Sequence, residues 1–174
     1  MLLLDTNAIN ARMADADLNQ IERWHADGVV QLIMSVHSSM EARAGGNPAR
    51  SAKALSYVYS YIGDQTEDEQ RIKQAIASVL CPSGVRTDAE RHDIDIVFHA
   101  YKYTAILVTN DGGSRRQPGG ILGNRDALAR LGVTVMRSRE VVADVREKIR
   151  ARDERARQSS TWKSTPVPAW VGAD

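Results

Sequence analysis

The chain reads as an α/β protein built on a parallel sheet with helices on both faces. Short runs of branched or apolar residues alternate with segments of helical period, the pattern that a parallel sheet with crossover helices imposes. The first such run, Leu2 to Leu4, ends in Asp5, followed by Thr6 and Asn7. A later run, Ala105 to Val108, ends in Thr109, Asn110 and Asp111, so the opening motif has an echo. In open sheets of this kind ligands bind in the crevice beyond the carboxyl ends of the strands, where both aspartates fall.

Each element can be justified in turn. Leu18, Ile21 and Trp24 recur at helical spacing before Asp27 and Gly28, an amphipathic helix closed by glycine. Val29 to Met34 is rich in branched residues and reads as the second strand. From Ser35 onward Met40, Glu41 and Ala42 start a helix that stops at the Gly45, Gly46, Asn47, Pro48 breaker, and Asn47 or Pro48 opens another. Two helical segments are expected between residues 48 and 80. The second opens at Thr66, with Glu67, Asp68 and Glu69 placed where negative charge suits the helix dipole. Residues 87 to 103 read as one long helix, 105 to 108 as a strand, 123 to 131 as a helix and 133 to 136 as a strand. A final helix begins near Arg139. Beyond Ile149 the apolar period fails, so residues 1 to 150 are expected to form the domain, and residues 151 to 174 a polar extension that is mobile or docks a partner.

Bulk properties exclude several classes. A chain of 174 residues fits one domain with a real core. A net charge of +1 gives no global field, so any anionic partner must be held by a local basic patch. The single cysteine, Cys81, can form neither an intramolecular disulfide nor a zinc cluster alone, which fits a reducing compartment. The opening apolar run is broken by Asp5, and no stretch approaches the ~20 apolar residues of a spanning helix. A soluble cytoplasmic protein without membrane association is expected.

Four acids occupy places from which they can converge: Asp5 after the first strand, Glu41 in the helix after the second, Asp93 early in the long helix, and Asp111 after the strand at 105 to 108. At about 100° per residue, Asp93 shares a face with Val97, Ala100 and Thr104, the face that packs inward. Asp95 points nearly the opposite way but becomes the alternative acid if the helix starts in another register. Carboxylates brought together repel, and a divalent cation resolves the conflict. Oxygen donors without cysteine or paired histidine favour Mg²⁺ or Mn²⁺. Such an ion can activate water and neutralise charge on a leaving oxygen, so the implied chemistry is hydrolysis at phosphorus.

At these residues the chain resembles the PIN-domain family of metal-dependent ribonucleases, which includes many toxins of bacterial toxin–antitoxin pairs. The resemblance covers roughly residues 1 to 140 and rests on four motifs in order. They are Asp5, Thr6 and Asn7 after the opening strand; Ser35 with Glu41 and Gly45; Asp93 through Ile96 and Ala100; and Val108, Thr109, Asn110 and Asp111. It implies a three-layer α/β/α sandwich with a central parallel sheet and a catalytic pocket of Asp5, Glu41, Asp93 and Asp111. By the same resemblance Asp5, Asp93 and Asp111 are the metal ligands, directly or through water, while Glu41 completes the site or orients the nucleophilic water. Asn7 and Thr109 are supporting residues, since short amide and hydroxyl side chains fix a carboxylate's orientation. The implied activity is an endoribonuclease that leaves a 5′-phosphate and a 3′-hydroxyl. The implied partners are an RNA substrate, an antitoxin protein that blocks the pocket, and a second copy in a homodimer. The alternative from another class is a catalytically silent module that holds RNA or protein on the same fold.

Three further features remain. Arg115 and Arg116 follow Asp111 among glycines and are candidates to grip phosphates beside the cut. His92 and His99, seven apart, can share a face of the long helix, where surface or packing roles are the ordinary reading. Aromatic residues make up only 5% of the chain, which argues against an extended base-stacking platform.

Overall fold

The computed structural model describes residues 1–9, 13–44, 46–61, 63, 65–113 and 117–172. Arg115, Arg116 and Gly45 lie outside the described residues. The protein is a three-layer α/β/α sandwich. Its elements run β1 (Leu2–Leu4), α1 (Ala16–Ala26), β2 (Leu32–Ser35), α2 (Val36–Ala44), α3 (Pro48–Ser56), β3 (Val58–Ser60), α4 (Glu67–Leu80), α5 (Asp88–Lys102), β4 (Ile106–Val108), α6 (Gly120–Gly123), α7 (Arg125–Arg130), β5 (Val135–Met136) and α8 (Ser138–Lys163). The five strands are all parallel, in the order β3-β2-β1-β4-β5.

This order fixes where a ligand can bind. From β1 the chain winds outward through β2 and β3, then returns to the other side of β1 to build β4 and β5. The direction of winding therefore reverses between β1 and β4. A crevice opens at the carboxyl ends of strands where that reversal occurs.

Strand period two divides the core. Leu3, Ile33, Leu107 and Val135 point to one face, where they meet Ile76 and Leu80 of α4, Ile94, Val97 and Phe98 of α5, and Leu128 of α7. Leu2, Leu4, Leu32, Met34 and Val108 point to the other, against Leu18, Ile21 and Trp24 of α1 and Val141, Val142 and Val145 of α8. Fully burying a leucine or isoleucine is worth roughly 1.5–3 kcal/mol, so these two layers hold the sheet between its helices.

Helix starts are locally encoded. Thr66 and Glu69 form a reciprocal capping box on α4, and Thr87 and Glu90 form another on α5. The second box sets the phase of α5 and hence which acid faces the sheet edge. Ion pairs from Lys73 to Asp95 at 2.6 Å and from Lys102 to Glu69 at 2.9 Å tie α4 to α5.

Several elements differ from the sequence expectation. The second strand begins at Leu32, not Val29, because Gly28 turns at φ 74° and both Val29 and Val30 donate backbone N–H to the Trp24 carbonyl. That closes α1 and delays the strand. The two helices expected between residues 48 and 80 form as α3 and α4, with Thr66 capping the second, but the unexpected strand β3 lies between them, organised by parallel pairing with β2. The helix expected at 123 to 131 is divided into α6 and α7, and Thr104 lies past the end of α5 at φ 50°.

The C-terminal extension is also structured. Helix α8 continues to Lys163, and the Asp153 carboxylate is buried, accepting from Arg152 at 2.8 Å and from the Gly172 N–H at 2.8 Å. The Arg152 guanidinium stands 4.6 Å over the Trp170 ring, so the chain end returns to the helix. Alanine, arginine and glutamate are good helix formers, and their propensity carries α8 past the point where its apolar stripe ends. Among the described residues no helix is long and apolar enough to cross a membrane.

Candidate active site

Strand β1 delivers Asp5 to the crevice. Its backbone N–H donates to the Val108 carbonyl at 3.0 Å, which ties it to the end of β4. The next three residues turn as a short 3-10 helix, and the Asp5 carboxylate caps that turn by accepting the Thr6 N–H on Oδ1 at 2.6 Å. Its Oδ2 accepts from Asn7 Nδ2 and from the Thr109 hydroxyl, each at 2.6 Å. A buried carboxylate needs such donors, because a desolvated charge without them costs several kcal/mol.

The ends of β1 and β4 interlock. Asn7 Oδ1 accepts the Asn110 N–H at 2.9 Å, and the Thr109 hydroxyl oxygen accepts the Asp111 N–H at 3.0 Å. Asn7 and Thr109 therefore bracket Asp5 and Asp111 by hydrogen bonds. Asp111 is gripped by its own loop. Its Oδ1 accepts the Gly113 N–H at 3.1 Å, its Oδ2 the Ile121 N–H at 2.8 Å, and its carbonyl the Leu122 N–H at 3.2 Å.

The helices contribute the other two acids. Glu41 Oε2 accepts the Thr6 hydroxyl at 2.8 Å, which joins α2 to the turn after β1. Asp93 is close enough to Asp5, Asp111 and Glu41 for each of those charges to act on it. Burial, followed by the charges of Asp5 and Asp111, pushes the Asp93 carboxyl up to about 7, against a hydrogen bond from Gln117 that lowers it. Burial also raises Asp5, opposed by the Thr109 and Thr6 hydrogen bonds and reinforced by the charges of Asp111 and Glu41. The four sequence-separated acids thus come to one place. Asp95 does not join them; it is paired with Lys73 of α4.

No protein-family model matches the chain, and no curated protein matches it. The function of the site must be argued from its own chemistry.

Three residues of the site carried no expected role. Thr6 bridges Asp5 to Glu41, and its signal was present inside the opening motif. Arg50 of α3 donates Nη2 to the Thr6 carbonyl at 2.7 Å and holds that turn from outside. Gln117 is buried in the loop after Asp111, close enough to Asp93 to hold its carboxyl down. Nothing local marks Gln117, since only folding of the loop brings it to α5. His99 is buried, stacks on Tyr103 at 6.3 Å between ring centroids, and is pushed down to about 4, first of all by burial.

The residues present fit a hard divalent cation of the Mg²⁺ or Mn²⁺ type. Their donors are carboxylate, amide and hydroxyl oxygens, and the mutual repulsion acting on Asp5 and Asp93 is what a cation would relieve. Among the described residues, no three His, Cys, Asp or Glu side chains form a cluster tight enough to hold an ion alone.

The elevated Asp93 makes a pH prediction. In metal-free protein the folded state keeps a proton that the unfolded chain releases near the ordinary value of 3.8. Stability therefore falls as pH rises from about 4 to about 7, and is constant with respect to this group above that window. Asp93 is partly open to solvent, so the discounted effect is about 1–2 kcal/mol. Denaturant melts in chelator across this range should show the decline in the wild type and a flatter profile in Asp93→Asn.

Proposed function

We propose that the chain is a metal-dependent endoribonuclease that hydrolyses RNA phosphodiester bonds, with Asp5, Glu41, Asp93 and Asp111 as its catalytic acids. The observation that carries this reading is the convergence of these acids at the winding reversal of a parallel sheet, where Asp5 and Asp93 are both raised by burial and by their neighbours' charges. A protein gains no stability from gathering repelling carboxylates, and their shared use is to hold a cation.

Asp5, Asp93 and Asp111 are the residues that would hold Mg²⁺ or Mn²⁺, which when bound supplies an activated water and charge neutralisation at the scissile phosphate. The remaining work belongs to the side chains around them. Thr109, Asn7 and the Thr6 N–H keep the Asp5 carboxylate in one orientation before substrate arrives. The Gly113 and Ile121 N–H groups do the same for Asp111. Glu41, held by one oxygen on the Thr6 hydroxyl, would accept a proton from attacking water with the other. This set of fixed donors means little reorganisation is needed at the moment of reaction.

The test is cleavage of a mixed panel of single-stranded and structured RNAs by purified protein in Mg²⁺, in Mn²⁺ and in chelator. Cutting in either metal that stops in chelator is the expected result. RNA retained without being cut under every condition would favour the alternative, a catalytically silent binding module.

A further inference from the structure

The same sheet edge carries a second constellation, made of rings. Helix α2 begins directly after β2, so its second residue, His37, emerges at the carboxyl edge of the sheet, and Glu41 follows one helical turn later on the same face. His92 immediately precedes Asp93 on α5. The two imidazoles stack across the gap between these helices, with centroids 5.4 Å apart and planes inclined by 20°. The stack therefore joins the two elements that carry Glu41 and Asp93. His92 is half-buried behind it, whereas His37 is exposed.

The surroundings extend this edge. Met40, on the same side of α2 as His37, is 60% exposed. Ser35 of β2 pairs with Ser60 of β3, so the chain leaves both strands side by side, toward α2 on one and toward Tyr61 on the other. Tyr61 is 73% exposed, and its carbonyl is held by the Tyr103 hydroxyl at 2.7 Å. Exposed ring and thioether surface beside an acidic pocket is poor at attracting phosphate but good at accepting the flat face of a base. Unpaired bases stack on histidine and tyrosine rings, whereas bases inside a duplex present no free face.

We propose that the His37–His92 stack is a nucleobase platform that positions an unpaired nucleotide beside the acidic pocket. This inference rests on the endoribonuclease reading and deepens it by naming the residues that hold the substrate in place. His92 fixes the His37 ring in advance, which lowers the ordering cost when a base adds to its outer face. His37 is a positioning residue: it acts on where the strand lies and not on the bond that breaks.

The test compares wild type, His37→Ala and His37→Phe. Cleavage kinetics are followed on an unstructured oligoribonucleotide, and binding of a fluorescent version is measured in an Asp5→Asn background so that the probe stays whole. His37→Ala should raise KM and weaken single-strand binding by about five- to a hundredfold, the range for loss of one stacked base. Its kcat, thermal midpoint and salt dependence of binding should be unchanged, and His37→Phe should restore wild-type binding. A perfect RNA duplex should bind less tightly than the single strand and be indifferent to the substitution.

Failure of phenylalanine to rescue, with a salt slope reduced by about 1, would make His37 a phosphate contact and overturn the proposal. A joint fall of kcat and thermal midpoint in His37→Ala would show a helix clamp and overturn it equally. Cleavage by wild type that is untouched by His37→Ala removes this inference alone. A wild type that neither cuts nor binds any RNA removes the endoribonuclease reading, and the platform with it.

Discussion

Asp5→Asn is expected to lower metal-dependent RNA cleavage by about a thousandfold or more while leaving a folded protein. The size follows from the chemistry assigned to the site: a bound cation contributes several kcal/mol to the transition state, and each 1.36 kcal/mol is a factor of about ten in rate. The retained fold follows from the hydrogen bonds. An asparagine that keeps its oxygen toward Asn7 Nδ2 and the Thr109 hydroxyl preserves both of those bonds. One contact is lost, because the amide group then faces the Thr6 N–H, which is another donor. That loss costs about 1–2 kcal/mol and is offset by removal of a buried charge that its neighbours repel. The thermal midpoint in chelator should therefore move little. Alanine would be a poorer probe, since it orphans three donors at once. The measurement is a single-turnover cleavage assay beside a thermal melt and a calorimetric Mn²⁺ titration. Wild-type cleavage by the variant would refute the assignment of Asp5.

Gly120→Ala is expected to unfold the Asp111 loop from its packed position and to lower both stability and metal affinity. Gly120 adopts φ 54°, and a Cβ there would collide with the Asp111 carboxylate and with the Gly113 backbone. A flexible side chain can yield to such an intrusion, but here the obstacle is largely backbone. The left-handed conformation alone costs an alanine about 1–2 kcal/mol, and displacing the Gly113 and Ile121 N–H groups removes the two donors that orient Asp111. A total near 3 kcal/mol corresponds to a midpoint lowered by about 6–12 °C for a domain of this size. Gly112→Ala is the matched control, since its Cβ would meet nothing within 4 Å and its φ is not in the left-handed region. Comparison of the two variants by melting and by Mn²⁺ titration separates a specific collision from a general intolerance of the loop. Equal behaviour of the two would mean that the tight approach of Gly113 and Gly120 has no part in holding Asp111.

These two predictions concern residues at opposite ends of legibility. Asp5 was visible in the chain because a short apolar run ending in a carboxylate is a local pattern, and a three-residue strand carries that pattern whole. Asp93 was nearly as visible. The capping box of Thr87 with Glu90 lies within four residues, fixes the start of α5, and so turns Asp93 to the sheet edge and leaves Asp95 for Lys73. Gln117 was not visible, since a glutamine in a glycine-rich loop has no period and no cap to betray its partner.

The sequence by itself determined the alternation of strands and helices, the two-sided burial of the sheet and the identity of the acids, because hydrophobic period, capping and strand-end chemistry act between residues a few positions apart. Tertiary structure decided the rest. Strand β3 exists because β2 offers it a parallel edge, and His37 meets His92 only because α2 and α5 are set side by side. Each of these depends on contacts between segments tens of residues apart. A linear pattern does not encode such contacts, because the entropy of closing the chain between them is repaid only by the packing of the finished core.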